Sequence, residues 1–184
     1  MSVLDLVIHT ERLLLRPPVA GDFDGYAEML ADPEAARYIG GVAPRAVAWR
    51  KFLALPGAWV IQGFAMFSVI ERSTGTWVGQ CGPWRPEGWP GNELGWAFRR
   101  HFWGRGYALE AASAALDFVF EQLAWSETIH CIHPDNRASQ RLAERLGSRP
   151  LGPVRLPDPY SEFPSLHWGQ SQDQWRQRAR ASLA

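Results

Sequence analysis

Glu93-Leu-Gly-Trp-Ala-Phe-Arg-Arg-His-Phe-Trp-Gly-Arg-Gly-Tyr-Ala-Leu-Glu110 is the stretch on which the reading of this chain turns. Asn92 to Phe98 reads as a strand. From about Gly106 to Leu123, the residues Leu109, Leu116 and Phe120, with Ala112, Val119 and Leu123, trace one face of a helix. Gly104 and Gly106 sit in the turn between them. The first amides of a helix have no partner inside it and point outward, and the dipole adds partial positive charge there. Two glycines clear side chains from the approach and Arg105 adds a cation, so strand, turn and helix together suit a phosphate. Alone, the pattern is equally that of a tight turn. It is not a dinucleotide fingerprint, because Leu109 stands where the third glycine belongs, and no Gly-Lys-Ser/Thr follows as in a Walker loop.

On the N-terminal side, Leu13, Leu14 and Leu15 make a short buried strand within Glu11 to Arg16. Asp22 reads as the N-cap of a helix carrying Phe23, Tyr26 and Leu30, which Asp32-Pro33 ends. A second helix is expected from Pro44 to Leu55, stopped by Pro56-Gly57. Trp59 to Ile70 reads as a long strand, turned at Ser73-Thr-Gly-Thr into a hairpin partner from Trp77 to Trp84, and Pro83 to Gly91 is a loop. On the C-terminal side, Thr128 to Ile132 is a short strand. Asp135 is the expected cap of a helix with Ala138, Leu142 and Leu146, stopped by Gly147. Extended segments follow near Leu151 to Leu156 and Ser165 to Trp168, and Ser171 to Ala184 is a polar, helical tail without assigned function. This order predicts an α+β fold with a mixed sheet, one crossover helix joining two parallel strands.

The chain has 184 residues, the length of one domain, here expected over 1–184. Lys+Arg and Asp+Glu are 19 each, and neutrality argues against a nucleic-acid partner. No apolar run reaches the roughly 20 residues of a membrane span. Met1 to Thr10 lacks the basic and apolar regions of a signal peptide. Two cysteines, Cys81 and Cys131, make neither a disulfide framework nor a four-ligand metal site, so no metal and a cytoplasmic setting are expected. Two biases stand out: there are 10 tryptophans, and Lys51 is the sole lysine. Codon usage accounts for the choice of arginine but not for Arg99, Arg100 and Arg105 crowding one turn.

A second signal lies at His133-Pro-Asp-Asn-Arg-Ala-Ser139, where a strand ends and a helix opens, with Asn136 and Ser139 three apart on one face. Together with Leu142-Ala-Glu-Arg-Leu-Gly147 and Thr10-Glu-Arg-Leu-Leu-Leu-Arg-Pro, these segments resemble the GCN5-related N-acetyltransferase (GNAT) superfamily. Within it they resemble the branch that acetylates ribosomal-protein N-termini. The resemblance covers about residues 10–170. It implies a mostly antiparallel mixed sheet flanked by helices, with acetyl-CoA between two splayed parallel strands. It further implies that Trp96, Ala97 and Phe98 pair with the pantetheine, and that Gly104, Arg105, Gly106, Tyr107 and Ala108 carry the pyrophosphate. Asn136 would hydrogen-bond the pantetheine arm, and Arg99, Arg100 and Arg137 would meet phosphates. A homodimer is a family-based expectation beside a monomer.

Acetyl transfer to an amine needs a base for the amine, donors for the developing oxyanion and a proton for the leaving thiolate. Glu93 is the candidate base, its alternative being a structural strand carboxylate. The family's tyrosine, seven residues after the asparagine, is Ala143 here. The branch instead uses a serine three after it, which matches Ser139, a residue that could equally be bonding the backbone. Backbone amides near Ala97 would meet the oxyanion. Glu110 reads as structural. Trp84 and Trp89 are candidates for the wall of the acceptor site, with Trp103 structural. The expected activity is therefore acetyl-CoA-dependent acetylation of a primary amine, a peptide N-terminus or a small molecule, by direct attack. The alternatives are a non-catalytic acyl-CoA-binding sensor and a nucleotide-binding protein using the same turn.

Overall fold

Alternation in the leucine run decides where the first layer lies. In the computed structural model, which describes residues 3–181, Leu13 and Leu15 are fully buried on one sheet face while Leu14 packs on the other. They belong to β2 (Leu13–Arg16), which pairs with the two-residue β1 (Ile8–His9) on one side and with β3 (Phe67–Glu71) on the other. β4 (Thr76–Trp84) and β5 (Glu93–Phe98) continue the antiparallel run. Next come β6 (Glu127–Ile132), then β8 (Ser165–Ser171) with β7 (Arg149–Val154) at the far edge. The eight-stranded order is β1-β2-β3-β4-β5-β6-β8-β7, and β5–β6 is its one parallel neighbour pair. This is the expected mixed, mostly antiparallel sheet between helices.

One face is covered by α4 (Tyr107–Glu121), whose Ala111, Ala112, Ala115, Leu116 and Val119 are fully buried against Leu13, Phe67, Val69 and Val78. Burying one such leucine contributes about 1.5–3 kcal/mol. The other face carries α1 (Phe23–Ala31) and α3 (Arg45–Gln62), packing Tyr26, Leu30, Phe52 and Leu55 on Ile70 and Trp77. The short α2 (Pro33–Ala36) follows α1, α5 (Arg137–Leu146) follows β6, and α6 (Gln172–Ala181) closes the described chain. Residues 182–184 of the expected polar tail lie outside the described residues.

Four local expectations are corrected. Pro56-Gly57 does not stop α3, which runs to Gln62 and ends at Gly63, in the left-handed region at φ +81°. Ala48, Phe52, Leu55 and Trp59 are all buried and keep helical spacing across Pro56, so packing outweighs the lost backbone bond. Trp59 is consequently helical, and the strand expected from that point begins only at Phe67. Asp22 does not cap α1 with its side chain. Its buried carboxylate accepts from both Arg16 guanidinium nitrogens (2.7 and 2.8 Å), Val19 N–H (2.9 Å) and Ser68 Oγ (2.7 Å). The cap of α5 is Asn136 and not Asp135, with Asn136 Oδ1 accepting from Ser139 N–H at 3.1 Å.

Two segments of the GNAT resemblance about a hundred residues apart meet at one carboxylate. Glu110, in the first turn of α4, accepts from Thr10 Oγ1 (2.6 Å), Arg12 N–H (2.8 Å) and Arg12 Nε (2.7 Å). Burial works against its charge, yet these bonds and the Arg12 guanidinium hold it below its ordinary value. Arg12 Nη1 also donates to the Arg105 carbonyl at 2.9 Å, so the glycine turn is tied to the first strands.

Candidate active site

The parallel pair β5 and β6 sets the site. Its register consists of Glu93 opposite Ile129, beyond which the two strands part. The opening lies toward Phe98 and Ile132, at the carboxyl ends of the strands, where the start of α4 and the start of α5 face it from either side. His130 fills the apex. Its Nδ1–H donates to the Leu94 carbonyl (2.7 Å), which faces the side where strand pairing has ceased. The neutral ring's Nε2 then accepts from Ser148 Oγ (2.9 Å), and that oxygen accepts from Gln170 Nε2 (3.1 Å). Full burial lowers the His130 pKa from 6.5 to about 4, so the ring stays neutral and its tautomer is set by the carbonyl.

Two cavities meet at this opening. The first, about 630 Å³, runs along the turn and the starts of α4 and α5. Trp96, Ala97 and Phe98 line it from β5, Gly104, Gly106, Tyr107 and Ala108 from the turn, and Asn136, Arg137 and Ser139 from α5. Gly104 and Gly106 both take the left-handed conformation (φ +76° and +81°), and a Cβ on Gly104 would find no atom within 4 Å. The turn therefore presents open backbone beside the first amides of α4, which fits a pyrophosphate. The Tyr107 side chain faces inward, its hydroxyl donating to Glu71 Oε1 at 2.5 Å.

Three of the expected phosphate contacts are not on this wall. Arg99 is paired with Glu28 and donates to the Trp77 carbonyl, and Arg100 Nε meets Asp32 at 2.9 Å. Arg105 leans over Phe102 with His101 Nε2 3.4 Å away, and none of the three lines the cavity. Adjacency in sequence brought them to the turn, and carboxylates of α1 and the α2 cap turned Arg99 and Arg100 away. The cations that do line it are Arg37 and the α5 series Arg137, Arg141 and Arg145. The four-residue spacing of that series was readable as one helical face.

The second cavity, about 410 Å³, lies on the other side of β5 and is lined by Trp84, Trp89 and Glu93. Trp96, Ala97, Asn136 and Ser139 line both cavities, together with Tyr38 and Ile39. Glu93 is 7% exposed. Its Oε2 accepts from Trp89 Nε1 (2.5 Å) and its Oε1 from Cys131 N–H (3.1 Å). Burial raises its pKa to about 7 in spite of these bonds and one from the Cys131 thiol. Burial, with the Glu93 charge, in turn pushes the Cys131 thiol well above its usual range. Ser139 Oγ accepts from Trp96 Nε1 at 3.1 Å, which leaves its own proton free to donate. Trp103, half exposed, braces the turn through Nε1 to the Phe98 carbonyl at 2.8 Å. His133 is engaged locally, its Nδ1 accepting from Asp135 N–H and its ring against Tyr38. Sequence reasoning gave no site role to His130, Tyr38, Lys51 or Gln80, all of which line the second cavity.

Both cysteines are free, and no group of three or more potential metal-ligating residues occurs among the described residues. No helix among them is long and apolar enough to cross a membrane. A family model described as an acetyltransferase (GNAT) domain matches residues 12–149, and the chain belongs to this family. The crystal structure of an acetyltransferase from Agrobacterium tumefaciens superposes with a TM-score of 0.81 at 32% identity, covering 91% of this chain and 95% of that one. The uncharacterized N-acetyltransferase p20 of Bacillus licheniformis is 28% identical over 80% of this chain and 85% of its own length. The protein YkkB of Bacillus subtilis is 39% identical over 87 residues, 46% of this chain, and the match spans about half (51%) of YkkB. A GNAT fold implies acetyl-CoA as the co-substrate, and the open glycine turn is compatible with its pyrophosphate.

Proposed function

We propose that this chain, as one domain, is an N-acetyltransferase that moves the acetyl group of acetyl-CoA to a primary amine by direct attack in a ternary complex. The observation that carries the reading is Glu93, a buried carboxylate on the wall of the second cavity, three residues along β5 from the Trp96 that lines both, with its pKa raised to about 7. A carboxylate so poised is half ionised at neutral pH and can take a proton from an ammonium. Bound in the first cavity, acetyl-CoA supplies the acyl thioester.

The protein's own groups carry the protons. Glu93 accepts one from the amine, directly or through a water, and the amine nitrogen then bonds to the acyl carbon. The backbone N–H near Ala97 donates to the carbonyl oxygen as it gains charge. The carbon–sulfur bond breaks, Ser139 Oγ–H, itself held by Trp96 Nε1, protonates the departing thiolate, and the second proton shed by the new amide nitrogen returns to Ser139 through water. A thiol of pKa about 8.5 leaves readily, so this donor is an aid and not a strict requirement. The protonated state of the Cys131 thiol speaks against a covalent acyl-enzyme. Gly104, Gly106, Ala108 and the first amides of α4 would hold the pyrophosphate, with Arg137 near the phosphates and Asn136 on the pantetheine arm. Trp84 and Trp89 would wall the acceptor. The Thr10 to Pro17 segment and Ser139 support a likeness to the branch acting on ribosomal-protein N-termini in the strands and the acid, a likeness that leaves the acceptor open.

Calorimetry with acetyl-CoA, ATP and NAD, followed by a thiol-release screen over small amines and peptides with free N-termini, tests the reading. Acetyl-CoA should bind and at least one amine should release thiol. Binding of ATP or NAD without acetyl-CoA would refute it, and acetyl-CoA binding with no thiol release over the whole panel would favour the sensor.

A further inference from the structure

The second cavity holds a charge that the acetyl-transfer chemistry leaves unused. Lys51 projects into it from α3, half-buried, and is the sole lysine of a chain that otherwise uses arginine. Its Nζ lies against the turn after α2. Gly40 there is in the left-handed region at φ +100°, and a Cβ on it would stand 3.2 Å from Nζ. Bare backbone is therefore what makes room for the ammonium. Lys51 has no hydrogen-bond or ion-pair partner among the described residues. The acids that share its cavity are otherwise disposed. Glu93 is bonded to Trp89 and Cys131, Asp158 is exposed and bonded to Ser161, and Glu87 is exposed.

A second polar atom in the same cavity also lacks a partner. Gln80 Oε1 is buried with no hydrogen bond among the described residues, and it can only accept. A ligand that satisfies this cavity presents N–H groups to Gln80 and Glu93 and an anion to Lys51, with an apolar body against Trp84, Trp89 and Tyr160. We propose that the acceptor is an amine that also carries a carboxylate, a free amino acid or close relative, with Lys51 as the carboxylate anchor. The proposal rests on the acetyltransferase reading for the amine and on Lys51 and Gln80 for the rest.

The test compares matched acceptors with the full chain: free amino acids against their C-terminal amides, by thiol release. The wild-type protein should favour the acid over the amide in kcat/KM. Lys51→Met should shrink that ratio about 10- to 100-fold, as expected for loss of a hydrogen bond between charged groups. Lys51→Arg, which restores the charge, should recover part of it. A wild-type protein that prefers the amide, or a ratio unmoved by Lys51→Met, would overturn the proposal. Calorimetry of N-acetyl-phenylalanine and N-acetyl-leucine against their amides reads the same site without turnover. If no amine releases thiol, the acetyltransferase reading fails. The anchor then stands if the acids bind more tightly than the amides and Lys51→Met abolishes the difference, and falls if they do not.

Discussion

Replacing Glu93 by glutamine keeps the volume of the side chain and removes its proton chemistry. In the native site both oxygens are in use, one by Trp89 Nε1 and one by Cys131 N–H. An amide oxygen answers only one of these donors, and the NH₂ group then faces the other. That mismatch costs about 1–3 kcal/mol, offset in part because a buried charge is removed. The melting temperature should therefore fall by about 2–4 °C per kcal/mol lost, and the variant should still fold. Activity should suffer far more. With a pKa of about 7, Glu93 is half ionised at pH 7 and about one-tenth ionised at pH 6, so native kcat/KM should drop about tenfold per pH unit below 7. Glu93→Gln should lower kcat about 10²- to 10³-fold on the alkaline plateau and abolish the acid limb. Glu93 does not line the first cavity, so affinity for acetyl-CoA should be essentially unchanged. The assay is initial-rate thiol release with the best acceptor from the screen, across the pH range in which the protein stays folded. Full turnover in the variant, or an acid limb that survives the substitution, would remove Glu93 as the base.

His130 makes stability pH-dependent. Its folded pKa, about 4 against 6.5, is depressed, so its contribution of about 3 kcal/mol is present above pH 6.5 and lost as pH falls through 4. Glu93 acts in the opposite sense, its contribution being present below about 4.5 and lost as pH rises through about 7. Between about pH 4.5 and 6.5 the two slopes oppose each other, so denaturant titrations should show native stability changing little with pH there, while His130→Asn, left with Glu93 alone, should lose stability as pH rises. Gly104→Ala places a Cβ in open space at a left-handed position, so it should raise the acetyl-CoA dissociation constant about tenfold through strain and obstruction, read by calorimetry. Glu110→Ala removes three hydrogen bonds and a half-exposed ion pair, and should destabilise the fold by about 2 kcal/mol, read by thermal unfolding.

The parts of the site that follow from local pattern were legible. Glu93, the glycine turn and the Asn136–Ser139 pair occupy a strand end and two helix starts, and each announces itself within a few residues. What escaped depends on partners far along the chain. Arg99 and Arg100 look like phosphate contacts until Glu28 and Asp32, placed by α1 and the α2 cap, engage them. Pro56 looks like a stop until Trp59 finds its place in the core. Lys51 and Gln80 carry no motif, and become a pair only once α3 and β4 face each other across one cavity. Ser148, one residue past the Gly147 stop, has no motif to mark it either. Its hydroxyl completes the network around His130.

A sheet counted as eight strands is mechanically two plates, β1–β5 and β6–β8, whose main-chain connection is the pairing at Glu93 and Ile129. Below that pin an imidazole stands in for backbone, keeping the Leu94 carbonyl satisfied where no neighbouring strand reaches it. Whatever enters the opening must take over the hydrogen bonds that a continuous sheet would have made. A ligand there becomes a strut between the plates, and how far they stand apart is set by its thickness. Occupancy should then register at a distance, as slower amide exchange along β6 and β8, in strands that need not touch the ligand themselves.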